Sequence, residues 1–140
     1  GKVLDAFRKD QTKVIHIKHN VNQNAEIYKL LKPLENEKVI TKDEANSFNG
    51  TELNEYLEKT NIKSLVITGM QTHMCVEATT RAAYDLRYKC YVISDGCTTK
   101  DLTFRDYTIK AKDVHLSTLS TIQNSYGKVL TTDEFLKKIE

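Results

Sequence analysis

The sequence predicts one α/β domain, a doubly wound and mainly parallel sheet with helices on both faces in a Rossmann-like three-layer arrangement. Three observations carry that expectation. Short apolar runs alternate with segments of helical spacing along the chain, the pattern of repeated β-α-β crossovers. The run Ser64–Thr68 (SLVIT) is apolar throughout, as a parallel strand covered on both faces requires. The length, 140 residues, suffices for one buried core and is too short for two, so residues 1–140 are expected to be a single domain.

Val3, Leu4 and Phe7 share one face of a helix over Lys2–Lys9, and Gln11-Thr12 ends it. Lys13–Lys18 (KVIHIK) alternates as a strand. Residues 19–37 are polar, with a short helical patch at Glu26–Leu31 that stops before Pro33. Lys38–Thr41 (KVIT) is a second strand. Thr51 caps a helix over Glu52–Thr60, whose Leu53, Tyr56 and Leu57 form the apolar face. After the strand Ser64–Thr68, closed by Gly69, the order is a helix over Met74–Leu86 and a strand over Cys90–Ser94. A helix over Asp113–Tyr126, a short strand Lys128–Thr131 and a last helix Phe135–Ile139 complete it. Thr131 and Glu134 have the spacing of a capping box for that last helix. A chain of this class ordinarily opens on a central strand, whereas this one opens on a helix. The first strand and the start of the first helix are therefore expected to be missing.

Composition excludes more than it assigns. Hydrophobic residues make up 39% and charged residues 29%, ordinary for a globular protein. The net charge of +2 points to no polyanionic partner, and no apolar run approaches the roughly 20 residues of a membrane span. Three cysteines leave one thiol unpaired under any pairing, and their separation fits no zinc site. The expected home is the reducing cytoplasm.

The densest chemistry lies in Ser64–Thr79, SLVITGMQTHMCVEAT. A strand ends, a tight connection follows, and Cys75 falls in the first turn of a helix. A thiol there faces unpaired backbone amides and the positive end of the helix dipole, which favour thiolate over thiol. The same amides can hold an oxyanion. The alternative for such a cysteine is a small buried hydrophobe.

Residues Thr41–Cys75 break that tie. Lys42 closes a strand, then Ser47-Phe48, Gly50-Thr51-Glu52-Leu53 and Gly69-Met70-Gln71-Thr72-His73-Met74-Cys75-Val76 follow. The pattern resembles the isochorismatase-like cysteine hydrolases. The likeness continues through Glu77–Ala83 and Val92–Cys97, and returns at Asp113–His115 and Val129–Glu134.

The resemblance implies an Asp-Lys-Cys triad with Lys42 as the lysine and Cys75 as the nucleophile. An ammonium beside a thiol favours the thiolate and steadies developing negative charge. It also implies a cis peptide at Met70–Gln71 that aims the Gln71 amide, with that of Cys75, into an oxyanion hole. Thr72 then braces the loop, and Phe48 and Met74 wall the substrate pocket, core packing being the alternative for these last two. The family's aspartate closes the first strand, and no residue here matches it; Asp5 and Asp10 are poor substitutes by position. The chain alone is accordingly expected not to run the full reaction.

Other residues carry less. His16 and His19 are three apart on a strand and point to opposite faces, so they do not chelate one ion. Residues 19–37 hold no aspartate, unlike the metal-binding nicotinamidases of this superfamily. No metal and no cofactor are expected. His73 reads as a pocket-edge residue, His115 as packing near a helix start, and Arg81 and Asp95 as scaffold contacts. Cys90 reads as core, and Cys97 as a second reactive thiol just beyond a strand end.

The expected activity is cysteine-dependent hydrolysis of a small amide or carbamoyl-type C–N bond through a thioester. Isochorismatase-type vinyl-ether cleavage and a non-catalytic, interaction-only member are the alternatives. The expected partners are a small-molecule substrate and further copies of the chain, as a homo-oligomer, with no nucleic acid and no membrane.

Overall fold

A computed structural model describes residues 1–20 and 26–139. Residues 21–25 of the polar stretch after the first strand lie outside the described residues. The elements run α1 (Lys2–Lys9), β1 (Ile15–His19), β2 (Lys38–Lys42), α2 (Leu53–Lys59), β3 (Ser64–Met70), α3 (Glu77–Asp85) and β4 (Lys89–Thr98). They continue with β5 (Leu102–Phe104), β6 (Tyr107–Ile109), α4 (Ala111–Ser125), β7 (Lys128–Leu130) and α5 (Thr132–Ile139). A 3₁₀ turn at Lys29–Leu31 precedes Pro33, and a π turn at Thr72–Val76 leads into α3.

The long strands are all parallel and form two ladders. β1 pairs with β2, and β3, β4 and β7 lie side by side in that order. Among the described residues no backbone ladder joins β1 to β3. Their apolar side chains nevertheless share one cluster: Ile15, Ile17, Leu65 and Ile67 pack with Ile40, Leu53, Leu57 and Ala83.

Alternation along β4 shows how the layers form, since successive strand residues face opposite ways. Cys90 packs with Ala83 of α3, and Val92 is covered by Val76 ahead of α3 and by Leu119 and Ile122 of α4. Tyr91 faces the other side, with its ring 6.4 Å from that of Phe135 on α5, and Phe135 stacks on Phe7 of α1 at 6.0 Å. The helices thus lie on both faces. Among the described residues no helix is long and apolar enough to cross a membrane.

Four elements differ from the sequence reading. β3 does not stop before Gly69; it runs to Met70, through a register shift between Ile67 and Gly69 that Gly69 permits at φ 138. β4 continues to Thr98 instead of ending at Ser94. The antiparallel pair β5–β6 occupies what reads as loop. Helical structure near the cysteine begins at Thr72 with a π turn, not at Met74 with an α-helix.

Candidate active site

Open parallel sheets gather their chemistry at the carboxyl ends of the strands. Here β1 closes on His19 and β2 on Lys42, and the ladder pairs those two residues directly. β3 closes on Met70, the Met70–Gln71 peptide bond is cis, and the chain enters the π turn that carries Cys75. The Cys75 sulfur, half-buried, lies 3.8 Å from Nδ1 of His19. His19 thereby links the strand end that bears Lys42 to the turn that bears Cys75.

The π turn has a consequence for the backbone. Val76 donates its N–H to the Gln71 carbonyl at 3.3 Å, and Met74 donates to the same oxygen at 3.0 Å. Cys75, between them, is not among the donors to that carbonyl. Turns of this i→i+5 kind recur at functional sites because they reorient one residue within a helix.

Lys42 is a buried ammonium, only 4% exposed. Such a charge needs strong polar partners. Nζ donates to the carbonyl oxygens of Glu44, at 2.8 Å, and Ala45, at 2.6 Å, closing the turn after β2. The first carbonyl of that turn, Asp43, accepts from His19 Nε2 at 3.0 Å, and the Asp43 carboxylate accepts from Asn20 Nδ2 at 3.0 Å. A carbonyl oxygen only accepts, so Nε2 of His19 carries the hydrogen, and Nδ1 is the ring nitrogen that faces the sulfur.

Thr72 is fully buried and hydrogen-bonded to Nδ1 of His115 on α4, at 2.9 Å. His73 pairs its Nδ1 with Thr99 Oγ1 at 2.6 Å. The side-chain oxygen of Gln71 is buried without a hydrogen-bond partner among the described residues. Phe48 packs against the cluster around Leu53 and Leu57 and stacks on Tyr88 at 6.0 Å. Met74 is half-exposed and lines an open groove of about 410 Å³ with Ala45, His73, Glu77, Ala78 and Arg81; Cys75 does not line it.

Of the other two thiols, Cys90 is buried and Cys97, like Cys75, is half-buried. Cys90 is buried between β4 and its covering helices, and burial pushes its thiol up to about 11. Cys97 does not follow a strand end: it lies within β4, paired with Gly69. Burial, with the nearby Asp95 charge acting the same way, pushes its thiol up to about 11 against a backbone hydrogen bond from Gly69. That corrects its expected place beyond the strand end. Asp95 itself accepts from Thr132, and Arg81 is bound by Glu77 and Tyr126. His16 points away from the site and donates to Glu37. Among the described residues no three His, Cys, Asp or Glu side chains gather as a metal site.

His19 is the residue that the sequence reading passed over, having weighed it only as a metal ligand. The signal lay in its position: a histidine closing one parallel strand opposite a lysine closing the next.

Comparison with known proteins gives the chain's family and fold. A family model described as an isochorismatase domain matches residues 1–134. YddQ of Bacillus subtilis, an uncharacterized isochorismatase family protein, is 37% identical over 98% of this chain and 82% of its own length. The crystal structure of a protein assigned as an isochorismatase hydrolase from Oleispira antarctica superposes with a TM-score of 0.92, at 37% identity, over 97% of this chain and 78% of its own. The ureidoacrylate amidohydrolase RutB of Acinetobacter baylyi is 27% identical over 79% of this chain and 41% of its own length.

Proposed function

This chain belongs to the isochorismatase family, and from that premise we propose that it is a cysteine-dependent hydrolase of a small amide or carbamoyl-type C–N bond. Amidohydrolases occur among its relatives, which supports the hydrolytic class. The observation that carries the assignment to Cys75 is its half-buried sulfur in the turn after β3, 3.8 Å from an imidazole nitrogen. Burial pushes the thiols of Cys90 and Cys97 up, which disfavours them as nucleophiles.

In this reading Cys75 attacks the substrate carbonyl and the oxygen becomes an oxyanion. The backbone amides of Gln71 and Cys75 receive it, which the exclusion of Cys75 from the Gln71 carbonyl pair supports. Lys42 gives two of its three protons to carbonyl oxygens and keeps one for the developing negative charge. Departure of the amine leaves a thioester on Cys75, which water hydrolyses. Thr72 holds the loop through His115, and Met74 lines the open groove beside the turn, whereas Phe48, expected to wall the pocket, packs in the core.

The test is turnover of a panel of small amides and ureido compounds, read as amine or ammonia release. Cys75→Ser lowers it by at least about 10³-fold, and Lys42→Ala by about 10²-fold. Retained turnover in the Cys75→Ser protein would overturn the proposal.

A further inference from the structure

We infer that the outer face of α3 is the contact between two copies of this chain, packed antiparallel about a two-fold axis at the level of Thr79.

The face is open and mixed in character. Met74, Glu77, Ala78 and Arg81 recur at helical spacing from the π turn into α3. With His73 and Ala45 they line the open groove of about 410 Å³, and the small Ala78 and Ala45 leave room between the longer side chains. Met74 and Tyr84 stand towards its two ends, 46% and 45% exposed. Aromatic, Met and Arg side chains gathered on one open face have the composition of a protein contact. They are also held in place beforehand: Tyr84 meets the ring of Tyr126 edge-on at 5.6 Å, and Arg81 donates to the Tyr126 hydroxyl.

The order of charges along the face names the occupant. A two-fold pair makes one patch meet itself, so each residue must suit the one equally far beyond the axis. About Thr79, Glu77 falls opposite the partner's Arg81, Met74 opposite the partner's Tyr84, and His73 opposite the partner's Asp85. Turning the helix end for end thus exchanges acid for base and thioether for aromatic ring, and both contacts are favourable. Within one chain Glu77 Oε1 already accepts from Nε of Arg81 at 3.1 Å and from Nη2 at 2.6 Å. Two copies set these ion pairs side by side with unlike charges adjacent. A parallel pair would instead set Glu77 against the partner's Glu77 and Arg81 against the partner's Arg81, which repulsion disfavours.

The packing bears on the neighbouring site. The partner's Tyr84 covers Met74, the residue before Cys75, and closes the groove beside the turn. A single helix face lies at the low end of specific contacts, below about 1,200 Å² in total, so the copies exchange with free subunits.

Sedimentation across a dilution series gives the molar mass of the unaltered protein, Glu77→Arg, Arg81→Glu, the double variant Glu77→Arg/Arg81→Glu, and an equimolar mixture of the two single variants. The unaltered protein should reach the mass of two chains at the concentrated end. Each single variant sets like charges opposite each other and should weaken self-association by roughly tenfold or more. The double variant should regain it, because acid and base have only changed places. The mixture should regain it too, as pairs with one copy of each, since one variant then carries only bases at these positions and the other only acids. Damage within one chain would not be repaired by mixing. Should a single variant fail to fold, by circular dichroism, hydroxyl-radical footprinting of the unaltered protein decides. Met74 and Tyr84 should lose labelling several-fold as concentration rises, while the exposed Phe104 and Tyr107 keep theirs. A monomer throughout the series, a dimer indifferent to both single variants, no association in the mixture, or protection of Phe104 and Tyr107 instead would overturn the inference. None of these readouts involves turnover, so they leave the hydrolase reading to its own test.

Discussion

Arg8 of α1 and Glu37, just ahead of β2, meet in a two-pronged ion pair, Nε to Oε1 at 2.7 Å and Nη2 to Oε2 at 2.8 Å. Glu37 Oε2 also accepts from His16 Nε2 and from the Leu34 amide, both at 2.8 Å. One carboxylate therefore ties α1 and β1 to the segment entering β2. The Arg8 guanidinium first, then the Leu34 amide and the His16 imidazole, hold its carboxyl down at about 2, against burial acting the other way.

A lowered folded-state value means stability that is present above the unfolded carboxyl range and lost as pH falls through the folded one. Near neutral pH Glu37→Gln should cost about 2 kcal/mol, the scale of hydrogen bonds to charged groups. The gap should narrow from pH 4.5 downward and close near pH 2. Denaturant midpoints across that window check it; a gap constant with pH would assign the cost to packing instead.

Thr72 sits wholly inside the protein with its hydroxyl on His115. Thr72→Val keeps the shape and removes the partner, leaving a half-buried imidazole nitrogen unpaired. A loss of about 1–3 kcal/mol is expected, accompanied by slower alkylation of Cys75 as the π turn loosens. Unaltered stability and unaltered alkylation would remove Thr72 from the support of the loop.

Gly127 lets β7 begin close against β4. A Cβ built there would meet the Cys90 carbonyl oxygen at 2.6 Å and Cys90 Cβ at 2.9 Å. Both are parts of a buried strand and cannot swing away. Gly127→Ala should destabilise by about 1–3 kcal/mol, the range for overpacking, seen as a lower thermal midpoint with no change in Cys75 alkylation. A neutral Gly127→Ala would show that β7 shifts freely.

What was legible in the sequence followed from strong local signals. SLVIT could be read as a buried strand because nothing polar interrupts it, and the capping box forms as spaced: Thr131 donates its amide to Glu134, and Glu134 returns one to the Thr131 hydroxyl. The β5–β6 pair escaped because its strands have three residues each, around a turn at Arg105 whose φ of 53 marks no glycine or asparagine. The π turn escaped because apolar spacing does not separate i→i+5 from i→i+4 bonding over five residues. His19 escaped for a different reason. Its partner Cys75 is distant in sequence, and only the register of β1 on β2 and the turn after β3 bring the two together.

The most direct test of the central claim is which of three thiols reacts first. The folded protein is treated with limiting iodoacetamide near neutral pH, quenched, digested and mapped. Cys75 should be labelled well ahead of Cys90 and Cys97, whose thiols burial raises to about 11, and Lys42→Ala should slow that labelling. Label appearing first on Cys97 or Cys90 would contradict the assignment of the nucleophile.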